Sequence, residues 1–220
     1  MNGTKLVGGV DESGRGCLLG PLIVAGVSVD PRGARKLKEL GVRDSKLLSA
    51  RKRENMFPKI MRIADRVFWD AIPPKQIDEV VLRGTRLRKL NYLEAIHFAK
   101  VIDQLHARKV TVDASDVIPK RFRDDILENM ATRCDVVAYH KADRNYPVVS
   151  AASIVAKVVR DREVSLLKQV DGDFGSGYPS DPATRSFFAD WMRRGDPFPD
   201  YVRQSWKTFE RIEQTLLDAF

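Results

Sequence analysis

The stretch Val10-Asp11-Glu12-Ser13-Gly14-Arg15-Gly16 directly continues a run of mostly apolar residues, 5–10. It places two adjacent carboxylates at the end of a predicted strand, followed by an arginine between two glycines. Carboxylates at a strand end are hard oxygen ligands suited to Mg²⁺. Glycines let a ligand approach the backbone closely, and arginine can bind a phosphate. The stretch therefore predicts a metal site beside a phosphate-bearing substrate.

The elements predicted around this stretch indicate an α/β fold. Residues 21–30 form a nearly continuous apolar run after Pro21, which is typical of a strand buried on both faces. The glycine-rich link predicts that this strand pairs as a hairpin with a strand over residues 5–11. Further strands are predicted at 67–72, 110–113 and 135–139, and helices at 49–64, 89–107, 147–169, 182–194 and 204–219. This order predicts a mixed sheet flanked by helices, with a C-terminal helical extension.

Length and composition exclude several classes of protein. The chain has 220 residues, of which 43% are hydrophobic, enough for a substantial core. No apolar run reaches the roughly 18 residues of a membrane span, and no signal peptide is recognisable. Cys17 and Cys134 are the only cysteines, and three histidines are widely scattered, so a disulfide framework or a zinc centre is not expected. We expect a cytoplasmic monomer with no membrane association.

The charge distribution favours a polyanionic partner. The net charge is +8, and between Arg32 and Arg66 there are twelve basic and four acidic residues. A second basic cluster contains Arg83, Arg86, Arg88 and Lys89. One basic run alone is equally well explained as a solvated helical face. Two runs in a chain that also carries spaced carboxylates favour nucleic acid.

Two further acidic residues extend the predicted metal site. Asp113 ends a predicted strand, as Asp11 does, and Asp143 precedes the long predicted helix. Each alone could be a turn or capping residue. Together with Glu12, and without a His/Cys set, they fit Mg²⁺ or Mn²⁺ and predict phosphodiester hydrolysis by two metal ions. On a regular strand Asp11 and Glu12 point to opposite faces, so both reach one site only if the strand ends or bulges there.

These motifs resemble those of the ribonuclease HII family, most closely its archaeal form, over essentially the whole chain. The matching segments, in order, are Gly9 to Gly16 with Gly20-Pro21, Arg43-Asp44-Ser45-Lys46, Val112-Asp113-Ala114, His140-Lys141-Ala142-Asp143, Tyr146 to Lys157, Arg160-Asp161-Arg162, and Gly175 to Pro182. A single DExGRG motif would be weak support, but this many motifs in the same order are specific.

The resemblance implies an RNase H-like fold for the catalytic domain, which we place at residues 1–180. Because the catalytic motifs end before the C-terminal helical extension, 181–220, we expect that extension to form one side of the substrate groove. It implies a catalytic and metal-binding quartet of Asp11, Glu12, Asp113 and Asp143, with Asp11 between two Mg²⁺ or Mn²⁺ ions. The implied enzyme is an endonuclease that hydrolyses the RNA strand of RNA/DNA hybrids and cleaves at single ribonucleotides in duplex DNA. Its cleavage leaves 3′-hydroxyl and 5′-phosphate ends. The implied role of the enzyme is to remove ribonucleotides and RNA primers from DNA.

The resemblance also implies how the substrate is recognised. Residues Gly14, Arg15 and Gly16 match the element that hydrogen-bonds the ribose 2′-hydroxyl, and Tyr178 matches a tyrosine that packs on the sugar at the RNA–DNA junction. Ser45 and Lys46 match a phosphate-binding element. Without the resemblance, Tyr178 could equally be a loop anchor, and Lys46 an ordinary surface lysine.

The last residues are similar to a sliding-clamp-binding motif that lacks its final aromatic residue. Gln214, Leu217 and Phe220 occupy the glutamine, aliphatic and aromatic positions. A short helical turn would present Leu217 and Phe220 to an apolar pocket of the clamp. An amphipathic helix that packs on its own protein explains the same pattern.

Three other classes of protein compete with this interpretation. A junction resolvase or transposase would share the carboxylates but would not need Gly14-Arg15-Gly16 together with Tyr178. An ATPase of the actin or sugar-kinase type usually needs two phosphate-binding hairpins and a longer chain. A non-catalytic nucleic-acid-binding module would explain the basic runs but gives no reason for four carboxylates near element ends.

Overall fold

The computed structural model describes residues 6–42, 48–85 and 88–206, and in these ranges a five-stranded mixed sheet is the central element. The strands are β1 (Val7–Ser13), β2 (Leu22–Val29), β3 (Arg66–Ile72), β4 (Lys109–Asp113) and β5 (Asp135–Tyr139). Their order across the sheet is β3-β2-β1-β4-β5. β1 pairs antiparallel with β2 and parallel with β4, and β4 pairs parallel with β5. The predicted hairpin and mixed sheet are confirmed.

The described residues also form eight helices. They are α1 (Pro31–Glu39), α2 (Ala50–Ile63), α3 (Pro74–Arg83), α4 (Lys89–Leu105), α5 (Pro119–Asn129), α6 (Ala142–Asn145), α7 (Pro147–Asp171) and α8 (Pro182–Arg194). The predicted cap of α2 is confirmed, because the Ser49 hydroxyl accepts a hydrogen bond from the Lys52 N–H at 3.3 Å. Among the described helices, none combines the length and apolarity needed to cross a bilayer.

The helices α1, α3 and α5 and the single turn α6 were not predicted from the sequence. The first three begin with a proline, which suits a helix start because proline lacks the N–H that would have no partner there. The predicted helix over 204–219 lies almost entirely outside the described residues. Its first residues, 204–206, contain a turn and not a helical start.

The described residues group into two compact units. The first comprises Met1–Ser13, Ile23–Ala71 and Leu90–Val159, and the second Gly14–Leu22, Ile72–Lys89 and Arg160–Phe220. The first unit packs the buried face of β2 against α7, with Ile23, Ala25, Val155 and Val159 in its core. The second unit has its own core, which includes Leu18, Phe174 and Phe188. The predicted boundary at residue 180 stays a prediction.

Candidate active site

Three aspartates from distant parts of the first unit converge at one point. One side-chain oxygen from each of Asp11, Asp113 and Asp143 lies within 4.8 Å of the others. Asp11 is 5% exposed and Asp143 1% exposed, while Asp113 is half-buried. The group can hold a metal ion, and it unites three of the four predicted ligands.

The sheet register explains why Asp11 and Asp113 meet. The last parallel pair of β1 and β4 is Val10 with Val112, and the aspartates follow directly on the two adjacent strands. Because successive side chains alternate between the two faces of a sheet, residues that follow a registered parallel pair point to the same face. The two carboxylates are therefore brought side by side by strand pairing alone.

The start of α6 carries Asp143 to this pair. Lys141 adopts the left-handed conformation, with φ 57°, between β5 and α6. The Ala142 N–H then donates a hydrogen bond to Asp113 Oδ1 at 3.3 Å, which ties α6 to the end of β4. The first turn of α7 lies against β1, where a Cβ on Gly9 would come within 2.5 Å of the Val149 nitrogen. Only glycine allows that approach.

Burial and mutual repulsion raise the pKa values of two of these carboxyls. Burial, followed by the charge of Glu12, raises the pKa of Asp11 to about 8, against the opposing effects of Lys157 and Ser153. Burial, Asp11 and Asp143 raise the pKa of Asp113 to about 6. The charged form of each group is disfavoured because it is removed from water beside other carboxylates. A divalent cation would reverse that preference.

The hydrogen bonding of the Asp143 carboxylate tests whether the three aspartates suit a metal ion. Among the described residues, neither of its buried carboxylate oxygens has a hydrogen-bond partner. Buried polar groups in folded proteins are almost always hydrogen-bonded or bound to an ion. Buried carboxylate oxygens aimed at two further carboxylates form a hard, all-oxygen donor set. That set fits Mg²⁺ or Mn²⁺ and does not suit zinc.

Glu12 lies outside the group of three. β1 continues in regular register through Glu12, opposite Val24, to Ser13, opposite Ile23. The strand stays regular between the two acidic residues and ends one residue later, at Ser13, so Glu12 would reach the group of three only around the end of β1. The Glu12 carboxyl is still close enough to act on the pKa of Asp11. Its role as a fourth ligand stays a prediction.

Two residues of α7 complete the surroundings of Asp11. Ser153 is fully buried and hydrogen-bonds Asp11, and its hydroxyl accepts a bond from Lys157 Nζ at 2.7 Å. Lys157 thus places a positive charge near the carboxylates. Both residues lie in the motif Tyr146 to Lys157 and are spaced by one helical turn, but nothing local shows that this face of α7 meets β1.

The predicted ribose-binding residues lie on a turn of the second unit. Gly14 has φ +94°, and a Cβ there would come within 2.8 Å of the Arg160 side chain and of the Pro21 carbonyl oxygen. Gly16 is exposed, and a Cβ on it would meet no atom within 4 Å in the described part of the chain. The fold of this turn therefore needs glycine at position 14, whereas the protein itself leaves room for a side chain at position 16.

A buried arginine fixes the same turn. The Arg203 side chain is fully buried, and its guanidinium donates to the Arg15 carbonyl at 3.0 Å and to the Gly20 carbonyl at 2.9 Å. The Arg203 N–H also donates to the Leu18 carbonyl at 2.8 Å. Nothing in the sequence around Arg203 predicts this contact, since the partners lie about 185 positions away along the chain.

Tyr178 belongs to the second unit as well. Its side chain is 36% exposed, and its hydroxyl hydrogen-bonds the buried Cys17 thiol. The Arg160 guanidinium lies 5.0 Å from the centre of its ring and donates to the Ser176 carbonyl at 2.8 Å. Burial is the main cause that raises the pKa of Tyr178 to about 12, so the hydroxyl stays protonated. The ring is held in a fixed position with one part open to solvent.

The comparisons with known proteins agree with this geometry. The family model described as Ribonuclease HII matches residues 8–209. The chain belongs to the ribonuclease HII family. It is 44% identical to the Ribonuclease HII of Methanosarcina mazei over 96% of this chain and 98% of that protein. As a member of this family, the chain is a nuclease.

Solved structures of ribonuclease HII proteins share the fold. The crystal structure of the ribonuclease H2 from Pyrococcus horikoshii has a TM-score of 0.85 and 42% identity, and the match covers 96% of this chain and 99% of that one. The PCNA:RNase HII complex from Archaeoglobus fulgidus contains a chain with a TM-score of 0.83 and 41% identity, over 92% of this chain and 95% of that one. The predicted RNase H-like architecture is thereby confirmed.

Five of the predicted binding residues lie outside the described residues. Ser45 and Lys46 belong to the undescribed segment 43–47, and Gln214, Leu217 and Phe220 to the segment 207–220. Their predicted roles in binding phosphate and a sliding clamp stay predictions.

Proposed function

We propose that this protein is an endonuclease that hydrolyses the RNA strand of RNA/DNA hybrids and cleaves at single ribonucleotides embedded in duplex DNA. The observation that carries the proposal is the convergence of Asp11, Asp113 and Asp143 within 4.8 Å, in a chain of the ribonuclease HII family. The cleavage leaves a 3′-hydroxyl and a 5′-phosphate.

The three aspartates, with Glu12 as the fourth ligand, would hold two divalent ions, Mg²⁺ or Mn²⁺. Such ions activate the attacking water and stabilise the charge on the leaving 3′-oxygen. The carboxylates offset the charge of the ions and keep them at the end of β1 and β4. Lys157 lowers the pKa of Asp11 through its charge, which favours the ionised form that binds a cation.

The chain's own backbone and one ring select the ribonucleotide. The 2′-hydroxyl is what distinguishes RNA from DNA at a given nucleotide. Around Gly16 no atom of the described residues lies where a side chain would be, so the backbone of residues 14–16 can come within hydrogen-bond distance of that hydroxyl. Tyr178, with its ring braced by Arg160, packs on the sugar at the RNA–DNA junction.

The biological role we propose is the removal of ribonucleotides and RNA primers from DNA in the cytoplasm. Residues 181–220 would form one side of the substrate groove, and Ser45 and Lys46 would bind its phosphates. The net charge of +8 supports a polyanionic substrate.

The deciding experiment is cleavage of a duplex that contains one ribonucleotide, first with Mg²⁺ and then with Mn²⁺, beside an all-DNA duplex of the same sequence. We expect a single cut at the ribonucleotide and none in the all-DNA duplex. Asp11→Asn should abolish cleavage but leave hybrid binding largely intact, because the basic surface that binds the backbone is unchanged. Normal turnover by this variant would contradict the assignment.

Tyr178 provides a test of junction recognition. Tyr178→Ala should slow cleavage at a single ribonucleotide more than cleavage of a long hybrid, because only the former depends on one junction. Tyr178→Phe keeps the ring beside Arg160 and is the matched control. Equal losses on both substrates would show that Tyr178 has no part in recognising the junction.

We further propose that the tail binds a sliding clamp. The relative from Archaeoglobus fulgidus was solved as a PCNA:RNase HII complex, and Gln214, Leu217 and Phe220 here occupy motif positions. Calorimetry with a peptide of residues 209–220 and the clamp tests this directly. A peptide with Leu217 and Phe220 replaced by alanine is the control, and failure of the natural peptide to bind would remove the proposal.

A further inference from the structure

Two tyrosines beside the carboxylates form an exposed stack. Tyr139 ends β5 and is 46% exposed, and Tyr146 directly precedes α7 and is 37% exposed. Their rings are nearly parallel, at 10°, with centroids 5.7 Å apart. We refer to this pair as the tyrosine stack. Its exposure is unusual for aromatic rings, which normally bury most of their large apolar surface.

The sheet register places the tyrosine stack next to the three aspartates. Tyr139 is the parallel partner of Asp113, so both side chains project from the same face of adjacent strands, roughly 4.8 Å apart. The Tyr146 N–H donates to the Ala142 carbonyl at 2.9 Å, which closes the single turn of α6 that carries Asp143. The backbone that positions the carboxylates therefore also positions both rings.

The chemistry of this surface suits a sugar–phosphate backbone. Neither phenol hydroxyl has a hydrogen-bond partner among residues 6–42, 48–85 and 88–206, and tyrosine hydroxyls are donors to phosphate oxygens in nucleic-acid complexes. Lys141 and Arg144, both exposed, flank the stack and add positive charge. A ring face, a hydroxyl donor and two cations are the groups that bind a sugar and its phosphate.

We propose that the tyrosine stack binds the backbone of the cleaved strand, one or two nucleotides from the scissile phosphate. The inference rests on the proposed function, because it takes the scissile phosphate to lie at the three aspartates. A strand advances roughly 3.4 Å per nucleotide, so a substrate held at Asp113 reaches the neighbouring strand β5 within one or two nucleotides. One ring covers a sugar, and the hydroxyls donate to the adjoining phosphate.

The position and charge of the stack favour nucleic acid over a protein partner. The stack adjoins the proposed catalytic centre, and its nearest exposed charged neighbours in sequence, Lys141 and Arg144, are cations. β3, at the opposite edge of the same sheet, exposes Phe68 and Trp69 at 38% and 41%. Those two aromatic residues have similar exposure but lie three strands away from β4, so they provide matched controls.

The test is steady-state cleavage of an RNA/DNA hybrid by the full chain carrying Tyr139→Ala or Tyr146→Ala. We expect each change to raise KM about tenfold, in line with aromatic contacts to nucleic acid, and to leave kcat within about twofold. Tyr139→Phe and Tyr146→Phe keep the rings and should raise KM less. Because removing one ring exposes the other, Tyr139→Leu and Tyr146→Leu are measured too, as variants that keep apolar volume.

The control variants are Phe68→Ala and Trp69→Ala, which should leave KM unchanged. The proposal is overturned if the alanine and leucine variants keep KM within twofold of the parent protein. It is also overturned if the control variants raise KM as much, or if the variants lower kcat alone. An unchanged affinity for nucleic acid would point to a protein partner for this surface.

Failure of the proposed function is recognised separately. If the parent protein does not cleave the hybrid with either metal, the proposed function is wrong. Fluorescence anisotropy then still measures binding of the same labelled hybrid to the parent and to each tyrosine variant. A loss of affinity confined to the tyrosine variants would support the stack as a nucleic-acid contact even then.

Discussion

The three aspartates of the candidate active site oppose folding when no cation is bound. Asp11 and Asp143 are almost fully buried, and their oxygens lie within 4.8 Å of each other and of Asp113. Because their pKa values are raised, Asp11 and Asp113 stay protonated at pH values at which exposed aspartates are ionised. The same arrangement that destabilises the metal-free protein gives the cation its binding energy.

This conflict predicts that the metal-free protein loses stability as the pH rises. The unfolded chain ionises these carboxyls near pH 3.8, whereas the folded protein retains their protons up to pH values of about 6 for Asp113 and about 8 for Asp11. Between these limits the folded state binds more protons, so the free energy of unfolding falls with rising pH. In EDTA we expect Tm to fall by about 4 °C or more between pH 5 and pH 8.

Two variants test whether the buried carboxyls cause the fall of Tm with rising pH. Asp11→Asn should make Tm less dependent on pH and raise it at pH 8, because the amide does not ionise. Asp190→Asn, at an exposed carboxyl paired with Arg193, should leave the dependence unchanged. Mg²⁺ added at pH 8 should restore the Tm of the parent protein. A Tm that does not change with pH in EDTA would contradict the predicted protonation.

Arg203 predicts a second effect at a single residue. Its buried guanidinium is the donor to the Arg15 and Gly20 carbonyls. Arg203→Met would leave these acceptors without that donor, which should cost about 3 kcal/mol and lower Tm by several degrees. Arg203→Lys keeps the charge but loses the bidentate geometry of the guanidinium. Its Tm should therefore lie between those of the parent protein and the methionine variant. Thermal melts of the three proteins test this order, and a methionine variant as stable as the parent would contradict it.

The turn over residues 14–20 shows how one short motif serves two purposes. Gly14 is needed by the fold, because its φ is +94° and a Cβ there would collide with Arg160 and Pro21. A Cβ added to Gly16 would meet no atom of residues 6–42, 48–85 and 88–206 within 4 Å, so this part of the fold does not need glycine there. Substitutions at the two glycines should therefore have different consequences.

Gly14→Ala should lower Tm, since alanine is strained at this φ and the added methyl group has no room. Gly16→Ala should leave Tm within about 1 °C but slow cleavage at a single ribonucleotide at least tenfold, because the methyl group holds the sugar away from the backbone. Differential scanning fluorimetry and the single-ribonucleotide assay separate the two effects. Wild-type cleavage by Gly16→Ala would show that this backbone does not approach the substrate.

The helices that start with proline show the limits of local sequence patterns. Pro73-Pro74 correctly predicted the end of β3, but the same prolines also start α3. α1 and α5 are short and bury only two residues each, Gly33 and Leu37 in one and Phe122 and Ile126 in the other, so they offer few apolar positions from which to predict a helix. The longer α4 and α7 bury more of their surface, and both were predicted from sequence within two residues at each end.

The net charge of the molecule predicts strong salt dependence of substrate binding. The chain carries 38 Lys and Arg against 30 Asp and Glu. A protein that neutralises about four phosphates loses about 10²-fold in affinity between 50 and 200 mM salt, because releasing the same counterions into a more concentrated salt solution gains less free energy. Anisotropy with a labelled hybrid and an inactive Asp143→Asn protein measures the slope. An affinity that does not respond to salt would exclude a binding mode dominated by phosphate contacts.

Each compact unit is assembled from three separate segments of the chain. In the second unit, the segment around Arg203 holds residues 14–22. The same segment also contacts α3, where Asp78 accepts hydrogen bonds from the backbone N–H groups of Gln204 and Ser205, at 2.9 and 3.1 Å. These contacts join positions more than 120 residues apart along the chain. A domain boundary placed at one position of the sequence cannot describe two units that are built from alternating segments of the chain.

The sequence alone determined the strands, the longer helices, the family and the identity of the three aspartates, because apolar periodicity and short motifs are local properties of the chain. Only the tertiary structure decided that Asp11, Asp113 and Asp143 share one site, since strand register sets which side chains become neighbours. The same holds for Arg203 and for the tyrosine stack. Their partners are distant in sequence or on another element, and packing alone brings them together.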